Sequence, residues 1–157
     1  MPRKARNLVK NGCYHVITRG IDQMETFHCD EDRRKYLHLL HKYKRKYKFK
    51  LYAWCPMPNH VHLMISSDKL SKAMQCINLS YSQYHNHKYD RKGYLWQDRY
   101  KSYSIEKDKY FANVLQYIEY NPVRARIVEN PEDYPWSSYR ARVLGKDDFG
   151  LLDPIDF

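Results

Sequence analysis

The chain has 157 residues, 43% of them hydrophobic and 29% charged, with 5 glycines and 7 prolines, which gives one folded domain and excludes disordered, collagen-like and low-complexity chains. No apolar run approaches the ~18 residues of a membrane span, and no apolar segment follows the basic start Met1-Pro2-Arg3-Lys4-Ala5-Arg6, so a soluble, intracellular protein without a signal peptide is expected. Lysine and arginine total 28 against 18 acidic residues, a net charge of +10, and aromatics reach 15%; this suits binding of phosphodiester backbones and unpaired bases, and equally a basic surface that only solvates the protein.

Cys13 to Thr18, rich in β-branched and aromatic residues and followed by Gly20, predicts a strand. From Asp30 to Lys48, Tyr36, Leu37, Leu40, Tyr43 and Tyr47 recur at helical spacing, with acidic residues at the start and basic ones at the end, as the helix dipole favours. Phe49 to Cys55 predicts a second strand closed by Pro56-Met57-Pro58-Asn59, and His60 to Ser66 a third, making an antiparallel hairpin. Leu70, Ala73, Met74, Ile77, Tyr81 and Tyr84 mark a second helix, Arg99 to Ile105 a fourth strand, and Phe111, Val114, Leu115 and Ile118 a third helix beginning near Asp108. The order β-α-β-β-α-β-α predicts an α+β fold: a ferredoxin-like (RRM-like) four-stranded antiparallel sheet with packed helices. One domain is expected over 1–157, with a core of about 13–140 and a C-terminal tail over 141–157. Cys13, Cys29, Cys55 and Cys76 include no C-x-x-C pair and read as reduced thiols in or near the core.

The most informative stretch is His60-Val61-His62-Leu63-Met64-Ile65. Alternation on a strand puts His60 and His62 on one face and Val61, Leu63 and Ile65 on the other, with the two imidazoles about 7 Å apart at the backbone. Both rings can converge on one metal ion; both can equally be surface histidines on a half-buried strand. A metal needs further ligands, and the third helix offers Tyr117 and Asn121, four residues apart on one face, while Tyr120 points away from the apolar stripe toward solvent. Tyr117 there is also consistent with an ordinary amphipathic rim tyrosine. Pro122 ends or kinks the helix at Asn121, where the amide oxygen can turn outward.

Taken together, Tyr14-His15-Val16 with Arg19-Gly20, Met57-Pro58-Asn59-His60-Val61-His62-Leu63, Tyr117-Ile118-Glu119-Tyr120-Asn121-Pro122-Val123-Arg124-Ala125 and Pro135-Trp136-Ser137-Ser138-Tyr139 occur in that order. Over most of the chain this resembles the single-tyrosine HUH transposases, specifically the REP-associated tyrosine transposases. The resemblance implies a bacterial, cytoplasmic enzyme of DNA transposition or REP-element processing, acting on single-stranded DNA near hairpins. It implies the catalytic nucleophile at Tyr117, metal ligands at His60, His62 and Asn121, and a 5′-phosphotyrosine intermediate. Relatives often continue past Phe157 into a further segment.

Two imidazoles and an amide suit Mg²⁺ or Mn²⁺, with Zn²⁺ as an outside candidate. Arg99, Lys101, Arg124 and Arg126 are candidate phosphate contacts, and Trp96 and Tyr100 candidate stacking platforms, whereas Trp136 is expected in the core. The rival readings are a non-catalytic single-stranded nucleic-acid-binding module and a hydrolase using metal-bound water. Monomer and homodimer remain equally open.

Overall fold

The computed structural model describes residues 12–106 and 109–155. Its sheet comprises β1 (Cys13–Arg19), β2 (Lys50–Met57), β3 (His60–Ser66) and β4 (Lys101–Ile105), in the order β2-β3-β1-β4 with every neighbouring pair antiparallel. Helix α1 (Asp30–Tyr47) connects β1 to β2 and α2 (Leu70–Lys88) connects β3 to β4, so two crossovers interleave as the predicted split-βαβ arrangement requires. Helix α3 (Phe111–Glu119) begins at the first residue of its apolar stripe; Asp108, where the sequence suggested a start, lies outside the described residues. Two short helices follow, α4 (Asn121–Arg124) and α5 (Tyr139–Leu144).

Each face of the sheet carries its own core. Val61, Leu63 and Ile65 bury against α1 and α2 with Tyr36, Leu40, Ile77 and Tyr81. On the opposite face, Cys55, Met57 and Met64 pack with Phe111 and Ile118 of α3 and with Tyr134. The strand parity read from the sequence therefore holds, and it leaves His60 and His62 on the α3 side. The cysteines are free thiols, Cys13 and Cys55 buried, Cys29 and Cys76 partly so. Among the described residues no helix is long and apolar enough to cross a membrane.

Two expectations are corrected. Strand β2 runs on through Pro56 and Met57, so the turn is only Pro58-Asn59; an edge strand tolerates a proline that gives no ladder donor. Strand β4 begins at Lys101 rather than Arg99, because the backbone N–H of Arg99 bonds the Asp98 carboxylate (2.7 Å) instead of joining the ladder. Residues 151–153, within the stretch named as a tail, cover the outer edge of β2. Asp153 accepts from the Leu51 N–H (2.8 Å) and donates its own N–H to the Leu51 carbonyl (3.0 Å), while Leu151 is buried. Ser138 brackets Trp54 in the same way. An unpaired edge would template aggregation, and this stretch removes it.

Buried Asp32 ties the start of α1 to the end of α2. It accepts hydrogen bonds from Lys88 Nζ (2.9 Å), Tyr84 Oη (2.8 Å), Tyr89 Oη (2.5 Å) and the His28 N–H (2.9 Å). Burial alone would raise its carboxyl, but these donors outweigh it and hold the group well below the usual carboxylate range. Asp32→Ala is expected to cost about 3 kcal/mol of stability near neutral pH. Because the folded-state value is depressed, the difference persists down to about pH 4, where unfolded carboxylates titrate, and shrinks below it. Urea denaturation of both proteins across that range checks both statements.

Candidate active site

The histidine strand is positioned by a tight hairpin whose turn is held from outside. The Pro58 carbonyl accepts from the Thr26 and Phe27 N–H groups, and the Asn59 carbonyl from the Gly20 N–H (2.9 Å). Gly20 is needed there because a Cβ would lie 2.4 Å from the Met24 carbonyl oxygen. On the α3 face, His60 and His62 meet edge to face at a ring-centroid separation of 4.9 Å. His60 Nδ1 contacts Asn59 Oδ1 at 2.6 Å, and His62 Nδ1 contacts His15 Nε2 on β1 at 2.9 Å. Both imidazoles thus have Nδ1 engaged and retain Nε2. Burial, helped by Arg19, pushes His60 down to about 4. Burial pushes His62 down to about 2, with His60, His15, Arg19 and Arg124 adding to it, and burial pushes His15 down to about 4. All three are neutral at pH 7, the state in which imidazole ligates.

Helix α3 lies across the strand and brings Tyr117 to these rings. The Tyr117 ring is 5.8 Å from that of His62 and 6.0 Å from that of His15, edge to face in both cases, with the side chain half exposed. The opposite side of α3 is anchored by buried Glu119, which accepts from Ser138 Oγ (2.5 Å) and Arg142 Nε (3.1 Å). Burial raises the Glu119 carboxyl, and Ser138 and Arg142 offset part of that rise. Helix α3 ends at Tyr120 (φ −94°, ψ 3°), and α4 starts at Asn121 with Pro122 in its first turn. Arg124 reaches back over this break: its guanidinium lies 4.1 Å above the Tyr117 ring and donates to the Tyr117 carbonyl. Tyr120, expected to face solvent, is half buried against the Tyr139 ring at 6.0 Å. Its ring packs on α5, and among the described residues it has no ring contact with the histidines. Asn121 is also half buried, and among the described residues no hydrogen bond links its side chain to either histidine.

The sequence profile of the family described as "Transposase IS200 like" matches residues 8–121, most of the chain. The chain belongs to this family. Two curated relatives are a Haemophilus influenzae (strain ATCC 51907 / DSM 11121 / KW20 / Rd) protein assigned as a REP-associated tyrosine transposase, 31% identical over 111 residues, and the REP-associated tyrosine transposase of Escherichia coli (strain K12), 29% identical over 124 residues. The matches cover 62% of this chain and 62% of the first relative, and 76% of this chain and 69% of the second. A solved REP-associated tyrosine transposase bound to a REP hairpin shares the fold with a TM-score of 0.77 and 22% identity, covering 100% of this chain and 95% of its own. A transposase-like crystal structure from Deinococcus radiodurans superposes with a TM-score of 0.51 at 20% identity, over 75% of this chain and 96% of its own.

In this member of the IS200-like transposase family the predicted DNA contacts are not all where the sequence suggested. Trp96 and Tyr100 are core residues rather than open stacking platforms: Trp96 Nε1 donates to the Asn78 carbonyl (3.1 Å), and Tyr100 Oη meets Ser71 Oγ (3.1 Å). Residues 93–100 fold onto α2 and bury both rings. Arg99 lines a groove of about 1100 Å³ between that segment and α2, on the side of the sheet away from α3. Trp136, expected in the core, is partly buried against both cores with Arg34 over its ring. Lys101 is exposed and in register with Ile17 and, through it, with His62, on the same face. Arg124 and Arg126 are exposed beyond the helix break. Sequence reasoning missed Tyr103, two residues after Lys101 on the same face, with half its surface exposed and its ring 6.3 Å from that of His15. Period-2 alternation from Lys101 was the available signal.

Proposed function

We propose that this IS200-like transposase cleaves and rejoins single-stranded DNA beside a hairpin through a 5′-phosphotyrosine on Tyr117, with His60, His62 and Asn121 holding a divalent ion. The observation that carries this reading is the tyrosine choice: among the described residues the Tyr117 ring, and not that of Tyr120, meets the ring of His62. The imidazoles fit such an ion, being neutral with Nδ1 engaged and Nε2 retained. Mg²⁺ or Mn²⁺ bound there supplies a Lewis acid that polarises the scissile phosphate. Tyr117 Oη bonds to phosphorus while the bond from phosphorus to the 3′ oxygen breaks. The phenol proton passes to solvent, and the departing 3′ oxygen takes one up. The phosphotyrosine conserves the phosphoester, so attack by a 3′-OH reverses the step without ATP. Arg124 restrains the Tyr117 ring before DNA arrives, limiting the orientations lost on attack.

The REP hairpin bound by the structural neighbour supports hairpin DNA as the partner here, and a bacterial cytoplasmic setting is part of the same proposal. Incubation with labelled hairpin-flanked single-stranded DNA and Mn²⁺, denaturation, and peptide mapping of the labelled protein tests the chemistry. Label on the peptide holding Tyr117 is expected. Tight binding with no adduct supports the non-catalytic module instead.

On the open half of the α3 face, Lys101, Arg19 and Arg124 offer cations and Tyr103 an exposed ring. Affinity for single-stranded DNA is expected to fall steeply with salt, by a logarithmic slope of about −0.7 per phosphate neutralised. Tyr103→Ala is expected to weaken binding by roughly 1–3 kcal/mol with an unchanged slope, since stacking is sequence-tolerant and uncharged. Fluorescence anisotropy across a salt series measures both; an unchanged affinity removes Tyr103 from the DNA path.

A further inference from the structure

Tyr14-His15-Val16 is part of the pattern that carries the family resemblance, yet neither the nucleophile nor the proposed ligand set uses it. Its histidine lies on β1, the strand beside β3, and its side chain emerges on the face of His60 and His62. The contact between His15 Nε2 and His62 Nδ1 is 2.9 Å, and the rings are within 26° of parallel at a centroid separation of 5.2 Å. That separation is too long for ring faces in contact. It fits two nearly coplanar imidazoles joined end to end by one N–H···N hydrogen bond.

We infer that His15 is a positioning residue that accepts the His62 Nδ1–H and thereby fixes His62 in the tautomer whose Nε2 lone pair is free for a divalent ion; this rests on the metal reading proposed above. A neutral imidazole carries one proton, so the shared hydrogen bond has two forms. If His15 donates, His62 must carry its own proton on Nε2 and cannot ligate through that atom. If His62 donates, Nε2 is open. Asn59 completes the parallel, because its Oδ1 accepts from His60 Nδ1 and leaves His60 Nε2 open in the same way. Outer partners of this kind orient ligating histidines and set their tautomer. The turn supplies one such partner from Asn59, next to its ligand, and β1 supplies the other from across the sheet.

The test starts on the metal-free protein. Long-range ¹H–¹⁵N correlation spectra of histidine-labelled protein report which ring nitrogen of His62 carries the proton. Nδ1–H is expected in the wild type; Nε2–H there overturns the inference without any variant. His15→Phe keeps a ring but has no acceptor. It is expected to shift His62 toward Nε2–H and to weaken Mn²⁺ binding about 10–100-fold by calorimetry. His15→Gln places an amide oxygen near the former Nε2 and is expected to restore both the tautomer and the affinity, which a merely space-filling role for His15 would not do. Mn²⁺ binding lost in His60→Ala but unmoved in His15→Phe defeats this inference alone. Mn²⁺ binding indifferent to His60→Ala defeats the metal reading and this inference with it.

Discussion

Tyr117→Phe is expected to lose all covalent DNA adduct while keeping its fold, its Mn²⁺ site and most of its DNA affinity. The substitution deletes one hydroxyl from a half-exposed ring, so the contacts with His15 and His62 and the Arg124 guanidinium over the ring persist. Tyr103 meets His15 at 6.3 Å but has no ring contact with His60 or His62 among the described residues. Tyr120, three residues after Tyr117, packs edge to face on Tyr139 and has no ring contact with the histidines among the described residues. Tyr120→Phe is therefore expected to give adduct at close to the wild-type rate. Phosphotyrosine chemistry has no bypass through water in this scheme, so the difference between the two variants should be limited only by the detection floor of the denaturing gel. Adduct formed by Tyr117→Phe at the wild-type level defeats the assignment, and loss confined to Tyr120→Phe transfers it to the other tyrosine.

The residues read most accurately from the sequence are those governed by local periodicity. Alternation along β3 separated His60 and His62 from Val61, Leu63 and Ile65: the aliphatic set buries against α1 and α2, and His62 meets Tyr117 of α3 on the other face. The 100° step of a helix separated Tyr117 from Tyr120, although Tyr120 packs on Tyr139 of α5 rather than facing solvent. What escaped was set by tertiary pairing. His15 meets His62 only because β1 inserts between β3 and β4, and the two residues are 47 positions apart in the chain. Trp96 and Tyr100 looked like stacking platforms, but residues 93–100 carry no periodic pattern that announces their folding onto α2. The edge cover formed by Ser138, Leu151 and Asp153 is likewise a matter of individual hydrogen bonds, invisible to any hydrophobic period.

His60→Ala is expected to remove metal-dependent cleavage without disturbing the fold, and it separates ligation from packing better than His62→Ala does. His60 sits at the turn, partly exposed, and its hydrogen-bond partner is the adjacent Asn59, which can turn to solvent when the imidazole is gone. His62 is 2% exposed, and its removal leaves a cavity and a His15 nitrogen without its partner. An unpaired buried polar group costs about 1–3 kcal/mol, so His62→Ala should melt earlier as well as fail to cleave. The expected loss of rate in both variants is set by what the Lewis acid contributes to the transition state. Several kcal/mol corresponds to about 10²–10⁴-fold at 1.36 kcal/mol per decade. Affinity for single-stranded DNA measured in chelator should be nearly unchanged in His60→Ala, because Lys101 and Tyr103 lie on β4, two strands from His60, and Arg19 beside it keeps its own charge. Chelation of the wild type should reproduce the His60→Ala phenotype, and excess Mn²⁺ should rescue the chelated wild type but not the variant. Equal adduct yield from wild type and His60→Ala, with or without chelator, would mean that Tyr117 attacks without a metal and that the histidine pair serves only to pack the ring beside it.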